Sequence, residues 1–532
     1  MSTDATTFPL RDSLLDDPAA LERRGASAGR ERASRGERIG AQERTRRDTV
    51  IGVAVLVWIG MCVLLIVLAA ADRPSFLSSP SHYGFFPHWL AGPLGGLWPW
   101  FTRSPRATKS LLTGALVTMY VAYVVGLRYV PLLRARWAIA TIVGVHAILL
   151  LSPPLSLTDV FNYIDYGRMG MLHGLDPYTT IPALGPHDDP SYALSNWHQL
   201  LTPYGPLFTL ITYAVVPLGL AGSLWMFKGL LMVLSLATIL LVWRCARLLG
   251  RGGRDSIRAI VLVGLNPLIL VWGLGGDHND FFMMFCIVLA FYLLLRARAP
   301  GISPGVGVAG EAMPARLGAW LLPLAPLELG AGVALAAAIA LKASAAILVP
   351  VILAGLLRAP RRLAQVVLGL LAGGIVLGVC TVVAFGAHLP DLGAQGRLVI
   401  PMGLPNLLGL VLGQGGVTEA MRNLLSVALV LAVLGCCVLA WRRRDALSAS
   451  GWATMALLLA LTWVLPWYVL WVLPLAALSS SRALRATALV FGAYLLLTWM
   501  PLATGLDNAL GIRPTTTLVG QQNQRYVRGL LD

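Results

Sequence analysis

Apolar stretches of bilayer-spanning length alternate along this chain with short connections rich in arginine, a pattern that predicts an all-α, polytopic transmembrane helical bundle. The first stretch starts near Val50, and others cover Leu111 to Val130, the run from Trp137, Ile257 to Gly275, Phe281 to Leu295, Val366 to Phe385, Leu424 to Trp441 and Leu484 to Trp499. With the hairpins between them, about 11–13 membrane helices are expected. Placing the basic connections in the cytoplasm orients the bundle. The helix from Val50 then exits, the segment from Asp72 to about Ser110 is external with Trp98 and Trp100 at the interface, and Leu111 to Val130 returns to Arg128, Arg134 and Arg136. Asp159 follows the next exit. Two apolar segments, Pro206 to Ala221 and Trp225 to Trp243, precede Arg244, Arg247, Arg251, Arg254 and Arg258. An odd number of crossings is needed there, so one of the two is expected to be re-entrant or interfacial. On this count Asp277 to Asp280, Lys342 at a hairpin tip, the loop 386–420 and the break Pro466-Trp467-Tyr468 all share the outer side with Asp159.

Composition agrees with that pattern: 57% of residues are hydrophobic and only 12% charged. A net charge of +16 would suit a nucleic-acid binder, but the cations sit in clusters between apolar runs, which excludes nucleic acid as the partner and leaves membrane lipids. Residues 1–48 hold almost no large apolar side chain after Leu21 and are expected to be a disordered cytoplasmic tail. The run from Val50 lies too far from Met1 for a cleaved signal and reads as an anchor of a multi-pass plasma-membrane protein. Residues 49–503 then form the transmembrane domain, with a large external loop at 156–205 carrying short interfacial helices, and 504–532 a C-terminal tail. The Gly301 to Gly310 stretch reads as a flexible inner loop. Of the six cysteines, Cys62, Cys286, Cys380, Cys436 and Cys437 lie in apolar runs and read as small buried apolar residues, with no disulfide or metal framework.

Polar residues that interrupt such a chain at a membrane boundary are where chemistry is affordable. From Asp159, helical spacing puts Tyr163, Tyr166, Gly170 and His173 on one face and Val160, Ile164 and Met171 on the other. That describes an interfacial helix whose apolar side rests in lipid and whose polar side faces an external cavity. Asp159 could equally be a helix cap, as could Thr158. In D-H-N-D at 277–280, a carboxylate at mid-bilayer would cost roughly 2.5–3.5 kcal/mol, so the motif belongs at a wet boundary. Asn279 or Asp280 could cap the helix from Phe281, and the cluster could also hold a divalent metal. Lys342 is either a snorkelling residue or a counter-ion for a lipid phosphate, a role also open to Arg168 and Arg397.

The order S-L-T-D-V-F-N-Y-x-x-Y-G…H-G-L-D-P-Y from Ser156, then P-Y-G-P-L from Pro203, G-G-D-H-N-D from Gly275 and L-P-W-Y-V-L-W-V-L-P-L from Leu465 resembles the bacterial polyprenol-phosphate-mannose-dependent α-1,6-mannosyltransferases of the GT-C class of integral-membrane glycosyltransferases. The likeness spans residues from about 140 to 480. It implies a GT-C-like fold, Asp159 as the catalytic residue, and site roles for His278, Asn279 and Asp280, while leaving Asp277 in doubt. Tyr163, Tyr166, Tyr204, Trp467 and Tyr468 stand in the shared motifs and join Arg168, Lys342 and Arg397 as candidate substrate-binding residues. The implied reaction is mannosyl transfer from a polyprenyl-phosphate sugar donor to a glycan or glycolipid acceptor in α-1,6-mannan or lipoglycan synthesis, without cofactor or metal. Asp159 would serve as general base. Arabinofuranose or another sugar on the same carrier is the alternative. A lipid-linked-sugar transporter or flippase would place coupling charges near the midplane between repeated halves, and no internal repeat is present.

Overall fold

The computed structural model describes residues 18–72, 88–97, 104–155, 159–298 and 325–531, and is helical with no strand among them. The helices run α1 (Pro18–Asp72), α2 (Pro105–Tyr129), α3 (Ala135–Leu150), α4 (Asp159–His173), α5 (Pro206–Val215), α6 (Gly219–Leu248), α7 (Gly253–Gly264), α8 (Asp280–Arg296), α9 (Pro326–Leu341) and α10 (Leu348–Leu356). They continue as α11 (Pro360–Phe385), α12 (Leu392–Gly396), α13 (Leu404–Val411), α14 (Glu419–Arg443), α15 (Ala446–Ala460), α16 (Val469–Leu478), α17 (Arg482–Trp499), α18 (Ala503–Ala509) and α19 (Leu518–Leu531).

Five stretches among the described residues are long and apolar enough to cross a membrane: Gln42–Asp72, Arg106–Leu132, Pro206–Leu248, Pro360–Phe385 and Glu419–Arg443. Counting α17 with α18 across their 91° bend gives up to six, and shorter apolar helices such as Ala135–Leu150 and Pro326–Leu341 pack among them. Apolar surface is left outward on α14, where Leu424, Val427, Val430, Leu431 and Leu434 are exposed. That arrangement suits lipid, which satisfies apolar side chains while the helix satisfies its own backbone. Where two helices touch closely, small residues permit it: a Cβ on Gly332 of α9 would meet the Val366 carbonyl of α11 at 2.1 Å. The centre of the core is α16, buried along its whole length.

Several expectations change. Residues 18–48 are not an unstructured tail but the first half of α1, because alanine, arginine and glutamate favour a helix even without an apolar face to bury. Residues 1–17, Trp98, Trp100, Ser156 to Thr158 and the Gly301 to Gly310 stretch lie outside the described residues. Pro206 to Leu248 counts as one candidate span, the odd number expected, made of α5 and the longer α6 with a break at Val216–Leu218. Residues 504–531 are folded, in α18, the turn 514–516 and α19. All six cysteines are free, yet Cys380 is exposed, on the apolar outer side of α11.

Candidate active site

The α4 helix does not lie on lipid. Val160 and Ile164 are as buried as Tyr163 and Tyr166, and only its last turn, with Met171 and Leu172, is open. The α5 and α6 helices pack on it, meeting Tyr163, Gly167 and Gly170, and the loop 174–205 covers the side that carries Asn162, Asp165 and Tyr166. Asn162 and Asn196 fasten the two: the Asn162 amide donates to Asn196 Oδ1 at 2.8 Å, and Asn162 Oδ1 accepts from the backbone of Asn196 and Trp197 at 3.1 Å. The Asp165 carboxylate accepts from Ser191 at 2.8 Å and Ser195 at 3.2 Å. Burial pushes Asp165 up to about 6 despite those hydroxyls. For Asp189, burial acts upward too, but Arg168 at 2.8 Å, His173 at 3.0 Å and the Ser191 amide and hydroxyl outweigh it and hold the carboxyl well below its usual range.

This bracing leaves Asp159, Tyr163 and Tyr166 on the wall of a cavity of about 700 Å³, within the roughly 300–1,000 Å³ usual for small-ligand sites. Burial holds the Tyr163 and Tyr166 hydroxyls far above the ordinary phenol range, so both stay protonated. Tyr166 spends its hydroxyl on the Leu200 carbonyl at 2.7 Å. Tyr204 joins them, edge-on to the Tyr163 ring at 4.8 Å. Its position is fixed by Gly205, whose amide donates to the Leu341 carbonyl and where a Cβ would meet the Ala340 carbonyl at 2.2 Å.

The turn before α8 brings His278, Asn279 and Asp280 to the same cavity. His278 Nδ1 is 3.4 Å from Asp159 Oδ2, and its ring stacks on Trp467 with centroids 3.4 Å apart. Asn279 stands at the helix start without a side-chain capping bond, so the capping role does not apply to it. Asp280 Oδ1 accepts from Lys342 Nζ at 2.7 Å and from Trp471 Nε1, while Oδ2 has no partner among the described residues. The Lys342 ammonium also lies 4.9 Å and 5.1 Å from the ring centres of Tyr468 and Trp471. It is therefore a fixed, paired cation rather than a snorkelling one. Among the described residues no three His, Cys, Asp or Glu side chains are grouped to hold a metal.

Two expected members stand apart. Arg168 is bound to Asp189 beneath the loop, and Arg397, just after α12, is exposed, with neither lining the cavity. Asp277 turns the other way, in a left-handed conformation (φ 56°), to a buried partner the sequence reading passed over, Lys228 on α6 at 3.4 Å. A lone lysine inside an apolar run was the available sign of that pair. Trp471 was also passed over, although it follows Trp467 by four residues on the same helical face. Trp463, Trp499 and, from α19, Val527 and Leu531 complete the cavity.

A membrane-embedded helical protein is thus defined that converges two carboxylates, an imidazole, a lysine and a wall of aromatic rings on one ligand-sized cavity. A family model described as α-(1→6)-mannopyranosyltransferase, N-terminal domain, matches residues 57–358, and one described as MptB C-terminal domain matches residues 400–519. The chain belongs to this α-(1→6)-mannopyranosyltransferase family and is a glycosyltransferase. It is 30% identical over 396 residues to α-(1→6)-mannopyranosyltransferase A of Mycobacterium tuberculosis, covering 70% of each chain. A second α-(1→6)-mannopyranosyltransferase of that organism is 29% identical over 395 residues, 64% of this chain and 65% of its own. The α-(1→6)-mannopyranosyltransferase A of Corynebacterium glutamicum is 24% identical over 364 residues, 60% of this chain and 66% of its own. No solved structure matches the chain.

Proposed function

We propose that the protein transfers a mannosyl residue from polyprenyl-phosphate mannose to a glycan or glycolipid acceptor at the outer face of the plasma membrane, with inversion and with Asp159 as general base. The observation that carries this reading is the pairing pattern in the cavity: Asp159 is oriented by His278, and Lys342 is held by Asp280 and two aromatic rings in the same space. An acceptor hydroxyl placed against Asp159 gives up its proton to the carboxylate as its oxygen attacks the anomeric carbon. The new carbon–oxygen bond forms on the face opposite the carrier phosphate. The old bond breaks with its electron pair going to the phosphate oxygen, so a β-linked donor yields an α-mannoside. Lys342 keeps two N–H groups beyond the one given to Asp280 and supplies positive charge to the departing phosphate.

Purified protein offered polyprenyl-phosphate mannose and polyprenyl-phosphate arabinose side by side, with membrane glycolipid acceptors, should transfer mannose alone. Arabinosyl transfer would move the assignment to a sister activity. For the facing, cysteine at Gln395, which lines the cavity, should react with a membrane-impermeant thiol reagent on intact cells in a background lacking Cys380. Labelling only after permeabilisation would put the cavity on the cytoplasmic side.

A further inference from the structure

We infer that a second cavity, of about 460 Å³, between the 399–402 loop, the end of α17 and the segment Thr504 to Val527, binds the sugar rings of the acceptor glycan that precede the one being extended. This rests on the glycosyltransfer reading above and names a site for its second substrate. The two cavities adjoin: Trp463, Trp499 and Val527 line both.

The lining has the chemistry of a polyol site. Asp507 and Asn508 on α18 and Gln524 on α19 reach this cavity, and none of their side chains has a hydrogen-bond partner among the described residues. Together they offer both donors and acceptors, as sugar hydroxyls require. The two tryptophans supply flat, electron-rich faces that attract the polarised C–H groups of a pyranose ring. Only Asp507 and Arg513 among the lining residues are charged, and their formal charges cancel. An uncharged polyol fits that balance better than a phosphate or an acidic headgroup does. A chain lying here would present its terminal hydroxyl toward Asp159, and this is how a glycan would be told from a free sugar.

The test uses the full-length purified protein, with α-1,6-linked mannobiose through mannotetraose as acceptors. In the wild type the acceptor KM should fall as the acceptor lengthens. Asp507→Ala and Gln524→Ala, on separate helices, should each raise KM for mannotetraose about tenfold, the loss expected when one hydrogen bond to a ligand is removed, while kcat and donor KM hold. Saturation-transfer NMR with mannotetraose reads binding directly, and the thermal midpoint checks folding. Length-independent KM in the wild type, or unchanged KM in both folded variants, overturns the site and leaves mannosyl transfer standing. Mannotetraose binding that the variants abolish, in a wild type that transfers no mannose, keeps the site and overturns the transfer reading. A wild type that neither binds mannotetraose nor transfers mannose overturns both.

Discussion

The two sides of the main cavity are built differently. On one side, Asp159, His278, Asp280 and Lys342 sit on elements packed into the core, with α16 behind them buried from Val469 to Leu478, and each charged group has a named partner. On the other side, α12 buries no residue and α19 buries only Gly520. That cover is tied down by polar contacts at its edges, such as the Gln199 amide to the Leu530 carbonyl and the Tyr526 hydroxyl to the Ala394 carbonyl, both at 3.1 Å. The difference teaches a division of labour. Groups that meet developing charge must already be in place when the reaction starts, since reorganising them then would add to the barrier. A surface that admits and releases a long acceptor gains from being held weakly, because exposed polar contacts open at small free-energy cost.

The largest expected effect falls on the fixed side. Asp159→Asn keeps the shape of the side chain but cannot accept the proton, and turnover should drop by about 10² to 10⁴-fold with donor binding intact. Turnover and donor binding measured on the same purified variant decide it; near-normal turnover would reduce Asp159 to a helix-end residue. Next comes Lys228→Met. It leaves the buried Asp277 carboxylate unpaired, which costs about 3–5 kcal/mol and should lower the thermal midpoint and activity together. Adding Asp277→Asn should recover much of both, since asparagine tolerates the left-handed backbone there. No recovery would mean that the pair does not set the 276–280 turn.

Lys342→Ala should lower donor kcat/KM by about 10², with protein level held. Wild-type donor kinetics would remove the phosphate role. A smaller effect concerns the brace under α4. Asp165 titrates near 6 in the folded protein, above its ordinary value of 3.8, so the folded state binds its proton more tightly. Stability should therefore fall as pH rises from about 4 to 6 and level off above, by about 1–3 kcal/mol. Asp165→Asn should flatten the thermal midpoint across that interval. A decline of unchanged size in the variant would assign it to other groups.

How much of this was readable beforehand follows from what each residue's role depends on. Asp159, Tyr163 and Tyr166 were legible because helical spacing alone puts them on one side of α4. The helix break at Lys342 was legible as a charge between apolar runs, and the break at Pro466 as a proline before aromatics. The lipid-facing side assigned to α4 failed because an apolar helix face looks the same whether lipid or protein covers it, and here Val160 and Ile164 are buried in the protein core. Arg168 and Arg397 failed for a related reason. Charge and sidedness can be read along a chain, but a partner such as Asp189, 21 residues from Arg168, is chosen only in three dimensions. The fold of 504–531 over the cavity was missed although α19 is amphipathic, because its polar residues outweigh its apolar ones and such a stretch also suits a solvated tail.

The smallest expected effect tests the loosely held side. Tyr526→Phe removes one hydroxyl, the one that donates to the Ala394 carbonyl of α12, and keeps the ring that packs there. A half-buried neutral hydrogen bond of this kind contributes about 0.5–1.5 kcal/mol net. Because α12 brings Leu392, Gln395 and Gly396 to the cavity, the change should appear as a few-fold shift in acceptor KM. The thermal midpoint should barely move, since neither α12 nor the C-terminal half of α19 carries core residues. A loss of stability as large as that of Lys228→Met would show the cover to be as firmly built as the wall it faces. The weak attachment would then no longer explain how a long acceptor enters.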